Sequence, residues 1–291
     1  MEKLNNIQQL QLTQILADYF TGEHDFNLLC SVFMIIFMVQ GKDVEFKVGS
    51  LSRLLSYALS VNSVTILNFG GVWLTQQSPT SAHSLNVARL LVSHTVTSVS
   101  HGAGQSALPA QSPLFTTNLI AAIGEVYSDS AGERRPVPVG VVSLVSDWLA
   151  AWSQHSTADT GSPLSLPTPE TSPAAALLPW TVLCHLDTNE VDPVYSKLHH
   201  TLLDIIISST SSQLPVKYLT QLTSSLLTRL DTSDSVTPER RDRALDCYGQ
   251  IVAAALAGDK LKMDKDLLAS MKKLPENRLV QIVISSHSNT S

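Results

Sequence analysis

Charge is the scarcest ingredient of this 291-residue chain: only 15% of its residues are Asp, Glu, Lys or Arg, against about 25% in an average globular protein. Serine and threonine fill much of the missing polar surface. The 25 acidic and 19 basic residues leave a formal charge of −6. No basic run exceeds a pair such as Arg134–Arg135 or Lys272–Lys273. Proteins that grip nucleic acid draw much of their affinity from neutralised phosphates and carry a basic stripe, so no direct nucleic-acid binding is expected. Cysteine is equally sparse: Cys30, Cys184 and Cys247 are odd in number, widely spaced and form no CxxC pair. That argues against a zinc ribbon or a dithiol redox centre and fits a reducing compartment. The opening MEKLNNIQQLQ has no signal-peptide core. The greasiest stretch, Val32 to Val39, is far shorter than the roughly 20 residues of a membrane span. It reads as a buried core helix, and no membrane partner is expected.

Chemical motifs are missing too. There is no HExxH pair and no G-x-S-x-G elbow. His199 and His200 are adjacent, so on a helix they point about 100° apart and do not share a metal. Cys184–His185 fails as a ligand pair for the same reason. Asp242 and Asp246 stand four apart on a predicted helix, a spacing open to acid–base work. With Arg240, Arg241 and Arg243 among them, an ion-paired, solvated face is the better reading. Gly102-Ala103-Gly104-Gln105-Ser106-Ala107 matches G-x-G-x-x-A, and Glu125 follows about 20 residues on, as in a dinucleotide site. That motif must open a helix whose N-terminus holds the pyrophosphate. Here Pro109 and Pro113 follow, and no alternating β-α pattern surrounds it. A loop is expected instead, with no catalytic residue, no cofactor and no metal.

What the chain does have is helical periodicity. Leu4, Ile7, Leu12, Ile15, Leu16, Tyr19 and Phe20 form one stripe, stopped at Gly22. Further helices are predicted over Phe26–Val39, from Ser50, over Ser63–Gln77 and over Ser81–Val99. A Gly/Ser/Pro loop is expected at 100–112. Helices then resume over Pro113–Tyr127 and Pro138–Gln154. After position 173 they fall near Ala174–His185, Pro193–Ser208, Leu214–Leu230, Pro238–Ala257, Lys265–Lys273 and Glu276–Ile284. Thr237 before Pro238–Glu239 and Asp264 before Lys265 are predicted N-caps. β-branched patches such as Ile205–Ile207 keep helical neighbours, so no sheet is expected. Trp148 and Trp152, four apart, are read first as core and second as an anchor for a partner. The fold class is all-α: an α-solenoid-like or irregular multi-helix bundle of short antiparallel helices. Its expected organisation is an N-terminal helical region, 1–155, a Ser/Thr/Pro-rich linker, 156–173, and a C-terminal helical region, 174–291. Ser162, Thr168 and Ser172 each precede a proline in that linker and are candidate phosphorylation sites.

Three blocks then carry a resemblance. They are Leu4-Asn5-Asn6-Ile7-Gln8-Gln9-Leu10-Gln11-Leu12 running on to Tyr19-Phe20; Tyr195-Ser196-Lys197-Leu198-His199; and Leu274-Pro275-Glu276-Asn277 followed by Leu279, Gln281, Val283, Ile284 and Ser285. Trp73-Leu74 and the Trp148 helix fall between them in compatible order. In order and spacing the chain resembles the Integrator complex subunit fifteen family over nearly its whole length. It departs from the family in lacking an N-terminal extension and a proline- and histidine-rich tail, so contacts made by those segments do not carry over. The resemblance implies a non-catalytic, nuclear scaffold. Its assembly acts with RNA polymerase II, cleaves nascent transcripts including small nuclear RNA, and attenuates or terminates transcription. It further implies other Integrator subunits as partners, in the peripheral module of subunits ten, thirteen and fourteen. Tyr195, Lys197 and His199, in the most distinctive block, are the candidate partner-binding residues. The rival readings are an unrelated cytosolic helical adaptor and a nucleotide-binding enzyme using the Gly102–Gly104 loop.

Overall fold

A computed structural model describes residues 5–22, 25–98, 108–127, 137–155, 173–188, 190–208, 214–232 and 236–288. All regular structure among them is helical. The chain divides into two compact units, Met1–Val126 and Tyr127–Ser291. The 156–173 stretch expected as a linker lies, up to residue 172, outside the described residues, as do Gly102 and Gly104.

The first unit holds α1 (Asn6–Thr21), α2 (Phe26–Ile36), α3 (Val44–Val61), α4 (Val64–Gln77), α5 (Ala82–Ser98), α6 (Leu108–Gln111) and α7 (Pro113–Val126). Local chemistry sets several ends. Asn5 and Gln8 form a reciprocal capping box, each side chain accepting the other's backbone N–H at 2.9 Å. Asp25 caps α2 by accepting from Leu28 N at 3.0 Å. Asn62 ends α3 in the left-handed region, φ 54°, which asparagine tolerates. Helix α3 starts at Val44, ahead of the Ser50 start that periodicity suggested, and Val48 is buried. The short α6 falls inside the stretch expected as a loop.

Packing in this unit centres on α4, which meets α1, α2, α3, α5 and α7. Phe20, Phe33, Phe37 and Phe69 form a ring cluster with neighbouring centroids 4.8–5.9 Å apart. Trp73 closes it by donating its indole N–H to Phe37 O at 2.9 Å. The Val32–Val39 stretch is not wholly buried as expected. Phe33 and Phe37 face the cluster, whereas Ile35 is 66% exposed and Met38 42%. The stripe on α1 is likewise turned: Ala17 and Phe20 are buried, but Ile7, Ile15 and Tyr19 face outward.

Gly71 lets the backbone of α7 lie close against α4, and Gly70 leaves room for the side chains of Leu55 on α3 and Phe115 on α7. A Cβ on Gly71 would stand 2.7 Å from the Phe115 backbone nitrogen and 3.0 Å from its Cα. Across the same seam Asn118 donates to Thr75 Oγ1 at 2.8 Å.

The second unit holds α8 (Val139–His155), α9 (Pro173–Ala176), α10 (Leu178–Asp187), α11 (Pro193–Ser208), α12 (Val216–Thr232), α13 (Pro238–Ala257), α14 (Lys265–Met271) and α15 (Arg278–Ser288). Thr237 and Asp264 act as the predicted N-caps, accepting from Arg240 N at 3.4 Å and Leu267 N at 2.6 Å. Helix α8 packs on α11, and α13 on α10, α11 and α15. Trp148 is core, 2% exposed, so the anchor reading does not hold for it.

Gly71→Ala tests the α4–α7 seam. Alanine normally favours a helix interior by about 1 kcal/mol over glycine. Here backbone must move to admit the methyl, so a net loss of about 1–3 kcal/mol is expected. Thermal melting should show a lower Tm for Gly71→Ala. Gly140→Ala, where nothing lies within 4 Å of the added carbon, should keep or raise it. A Tm for Gly71→Ala at or above wild type would refute the close approach.

Candidate interaction surface on helix α11

Helix α11 begins at Pro193, whose missing N–H has no helical partner to lose. Asp192 accepts from Val194 N at 2.9 Å and fixes the entry. The buried side of the helix carries Leu198, Leu202, Ile205 and Ile206, each at most 2% exposed.

The three candidate residues separate by helical phase. Half-buried Tyr195 donates its hydroxyl to Val137 O at 3.2 Å. Lys197 is exposed and pairs with Asp147 at 2.7 Å, both side chains being about half in water. Such a pair contributes roughly 0–1 kcal/mol. His199 is buried, 4% exposed, with Nε2 at 2.9 Å from Gln250 Oε1 on α13. Since the amide oxygen only accepts, Nε2 carries the proton, and Nδ1 is left buried without a partner. Burial lowers the His199 pKa, with the Gln250 bond opposing and His200 adding to the effect. The neighbouring His200 is exposed and its Nδ1–H donates to Ser196 O at 2.7 Å. The structure thus places Lys197 on the surface, Tyr195 at its edge and His199 inside. Ser162, Thr168 and Ser172 lie outside the described residues.

Nearby, the fold builds a pair that sequence spacing concealed. Cys247 Sγ lies 3.5 Å from His185 Nε2, 62 residues away in the chain. A nucleophilic cysteine needs a lowered pKa. Burial, helped by the Asp246 charge, instead pushes this thiol up to about 11. Burial first, then Arg243 and His199, lowers the His185 pKa. Both groups are therefore neutral at pH 7, and the imidazole tautomer sets which of them donates. Such a pair ties α13 to α10 and supplies no thiolate.

The acidic pair is also divided. Asp242 meets Arg241 at 3.4 Å on the surface, while Asp246 accepts from Asn277 Nδ2 at 2.9 Å. Asn277 in turn caps α15, its Oδ1 accepting from Leu279 N and Val280 N at 3.0 and 3.1 Å. Arg240 does not face solvent with Arg241: its guanidinium donates to His185 O and Leu186 O at 3.0 and 2.6 Å, satisfying carbonyls at the end of α10. Among the described residues no three His, Cys, Asp or Glu side chains are grouped to hold a metal ion. None of their helices is long and apolar enough to cross a membrane.

The fold and these contacts define an all-α, multi-helix protein whose clustered polar side chains join helix to helix. The profile of the family described as Integrator complex subunit 15 matches residues 1–276, and the chain belongs to that family. It is similar to the Integrator complex subunit 15 of Drosophila melanogaster, 29% identical over 99% of this chain and 80% of that protein. It is also similar to those of Danio rerio, 26% identical over 98% of this chain and 67% of the relative, and Homo sapiens, 24% identical over 98% and 73%. The resemblance read from the three blocks is thereby established, and the reading in which they coincide by chance falls.

Two measurements probe the site. Leu198→Asp places an unpaired carboxylate in the core and should cost about 3 kcal/mol or more. Lys197→Glu should change stability by no more than about 1 kcal/mol. Equal melting temperatures for the two variants would show the helix phase to be wrong. Separately, a pKa near 11 leaves Cys247 with roughly a hundredth of an ordinary thiolate population at neutral pH. Iodoacetamide at pH 7 should therefore label native Cys247 far more slowly than the same residue in urea, and faster native labelling would reveal an activated thiol.

Proposed function

We propose that this chain is a non-catalytic scaffold subunit of a nuclear Integrator complex. In this reading it links the peripheral module of subunits ten, thirteen and fourteen to the assembly that cleaves nascent RNA, including small nuclear RNA, and attenuates RNA polymerase II transcription. The observation that carries it is the family match over residues 1–276, joined by relatives named as Integrator subunits along 98–99% of the chain. The site chemistry is in keeping with it. His185, His199, Asp246, Cys247 and Arg240 hold helices together, while Lys197 stands exposed on α11 with Tyr195 half-buried beside it. Ser162, Thr168 and Ser172 would let phosphorylation alter partner binding by adding about −1.5 to −2 charges per site.

The nucleotide-binding alternative required a parallel sheet ending at Gly102. Regular structure among the described residues is helical, so no observation favours that alternative.

Affinity purification of the tagged full chain from cells of its own organism, read by mass spectrometry, tests the proposal. Integrator subunits should dominate the specific partners, with ten, thirteen and fourteen enriched most. Recovery of none of them would overturn it.

A further inference from the structure

Basic charge gathers at one place in an otherwise acidic chain. Lys260, Lys262, Lys265, Lys272, Lys273 and Arg278 put six of the 19 basic residues into 19 positions, which hold only three of the 25 acidic ones. Five of the six are exposed, and Lys260 is half-buried. Helix α14 turns Leu267 and Met271 inward and carries Lys265 and, at its end, Lys272 on the outside. Seven apart, these lysines lie two turns and about 10 Å from one another along one face, with exposed Ala269 between them. Helices α12 and α15 pack on α14 and supply little counter-charge: no Asp or Glu occurs from Ile205 to Leu230 or from Asn277 to Ser291. Helix α12 adds exposed Lys217 instead, and its start is tied to the same segment by Leu214 N donating to Lys260 O at 2.8 Å. Of the three acids, Asp264 is turned to Leu267 N as the cap of α14. Among the described residues, Lys262, Lys265, Lys272, Lys273 and Arg278 make no ion pair. Helix stability does not account for the arrangement. A helix dipole disfavours a cation in the first turn, yet Lys217, Lys265 and Arg278 stand in the first turns of α12, α14 and α15.

We infer that the basic face of α14, Lys265 and Lys272 with Lys262 and Lys273 beside them, docks an Asp/Glu-rich segment of another subunit of the assembly. The inference rests on the scaffold reading above and names the chemistry of one partner contact. Exposed ion pairs add little affinity singly. Acting together they steer the encounter, and salt weakens them. Three other anions share the charge, and each meets a physical test. Single-stranded nucleic acid is held by bases stacked on aromatic rings. No Phe, Tyr or Trp occurs from Lys260 to Ser291, and the Tyr218 ring is covered by Lys217 Nζ at 5.2 Å from its centroid. A lipid surface takes up the apolar side of an amphipathic helix, whereas that of α14 is already in the core. Phosphorylated motifs are read by arginine clusters, and only one of the six cations is an arginine.

The test uses the full chain purified from cells with its bound partners. A carbodiimide joins an amine directly to a carboxylate in contact with it. It should link Lys262, Lys265, Lys272 or Lys273 to Asp or Glu of another Integrator subunit. The variant Lys265→Glu/Lys272→Glu should melt with wild type, since both side chains are exposed. It should recover that subunit about tenfold less well. Lys265→Arg/Lys272→Arg keeps the charge and should recover it in full. If glutamates disturb folding, Lys265→Gln/Lys272→Gln reports the loss. Links only within the chain or to a second copy overturn the inference, as do ultraviolet crosslinks of this face to RNA or loss of the contact on phosphatase treatment. If wild type recovers Integrator subunits and the charge-reversed variant does so equally, only this surface is wrong. If wild type recovers none, the scaffold reading fails and this one with it.

Discussion

The second unit depends on burying one helix. Nearly every turn of α13 is tied to a different neighbour: Arg240 and Cys247 to α10, Asp246 to Asn277 ahead of α15, Tyr248 to α12, and Gln250 to α11. Gly249 receives Leu279, whose Cγ lies 2.9 Å from where a Cβ would stand. Apolar burial of Leu245, Ile251 and Val252 supplies the non-directional drive. The polar ties help fix which helix lies where, most strongly where they are buried, because a buried donor or acceptor left unmade costs about 1–3 kcal/mol. Tyr248 illustrates this. Its hydroxyl donates to Thr223 Oγ1 at 2.7 Å, which itself donates to Leu219 O at 2.7 Å. Burial, opposed by the Thr223 bond, pushes its pKa up to about 12.

The same economy of polar groups shapes the functional reading. A chain with 15% charged residues has few titratable side chains to place. The second unit places several inside, where burial favours their neutral forms. His185, His199 and Cys247 are the groups most suggestive of chemistry, and each is held neutral by its surroundings. Lys197 on α11 and the apolar side chains of Leu28 and Ile35 on α2 stand at the surface. Membership of the Integrator complex subunit 15 family suits a chain built in this way.

Much of the fold was legible in the sequence where local chemistry is strong. Helix α13 spans Pro238–Ala257 as expected because Thr237, Pro238 and Glu239 start it and Gly258 ends it. Helix α11 likewise runs Pro193–Ser208 from its proline. What escaped the sequence was the contact between distant residues. The His199–Gln250 and Cys247–His185 pairs are 51 and 62 positions apart, and no spacing rule reaches that far. The close α4–α7 approach at Gly71 was likewise not read from the sequence, since the Phe115 backbone it meets is 44 positions away. Periodicity also failed to say which apolar face of α1 or α2 is inside, since both faces of each helix carry apolar residues. Of the candidate trio, His199 is buried because α13 lies against it, a contact that spacing within α11 does not reveal.

The most direct measurement of the central claim, that this protein acts through its surfaces, is rescue of cells depleted of the endogenous chain by a variant carrying Cys247→Ala and His185→Gln. These changes remove the one thiol–imidazole pair described while leaving the exposed faces intact. A surface-acting subunit predicts that the variant, once shown to fold and to recover Integrator subunits at the wild-type level, restores processing of small nuclear RNA transcripts in full. A variant that folds and assembles as wild type yet leaves processing undone would contradict the account and place chemistry in this chain.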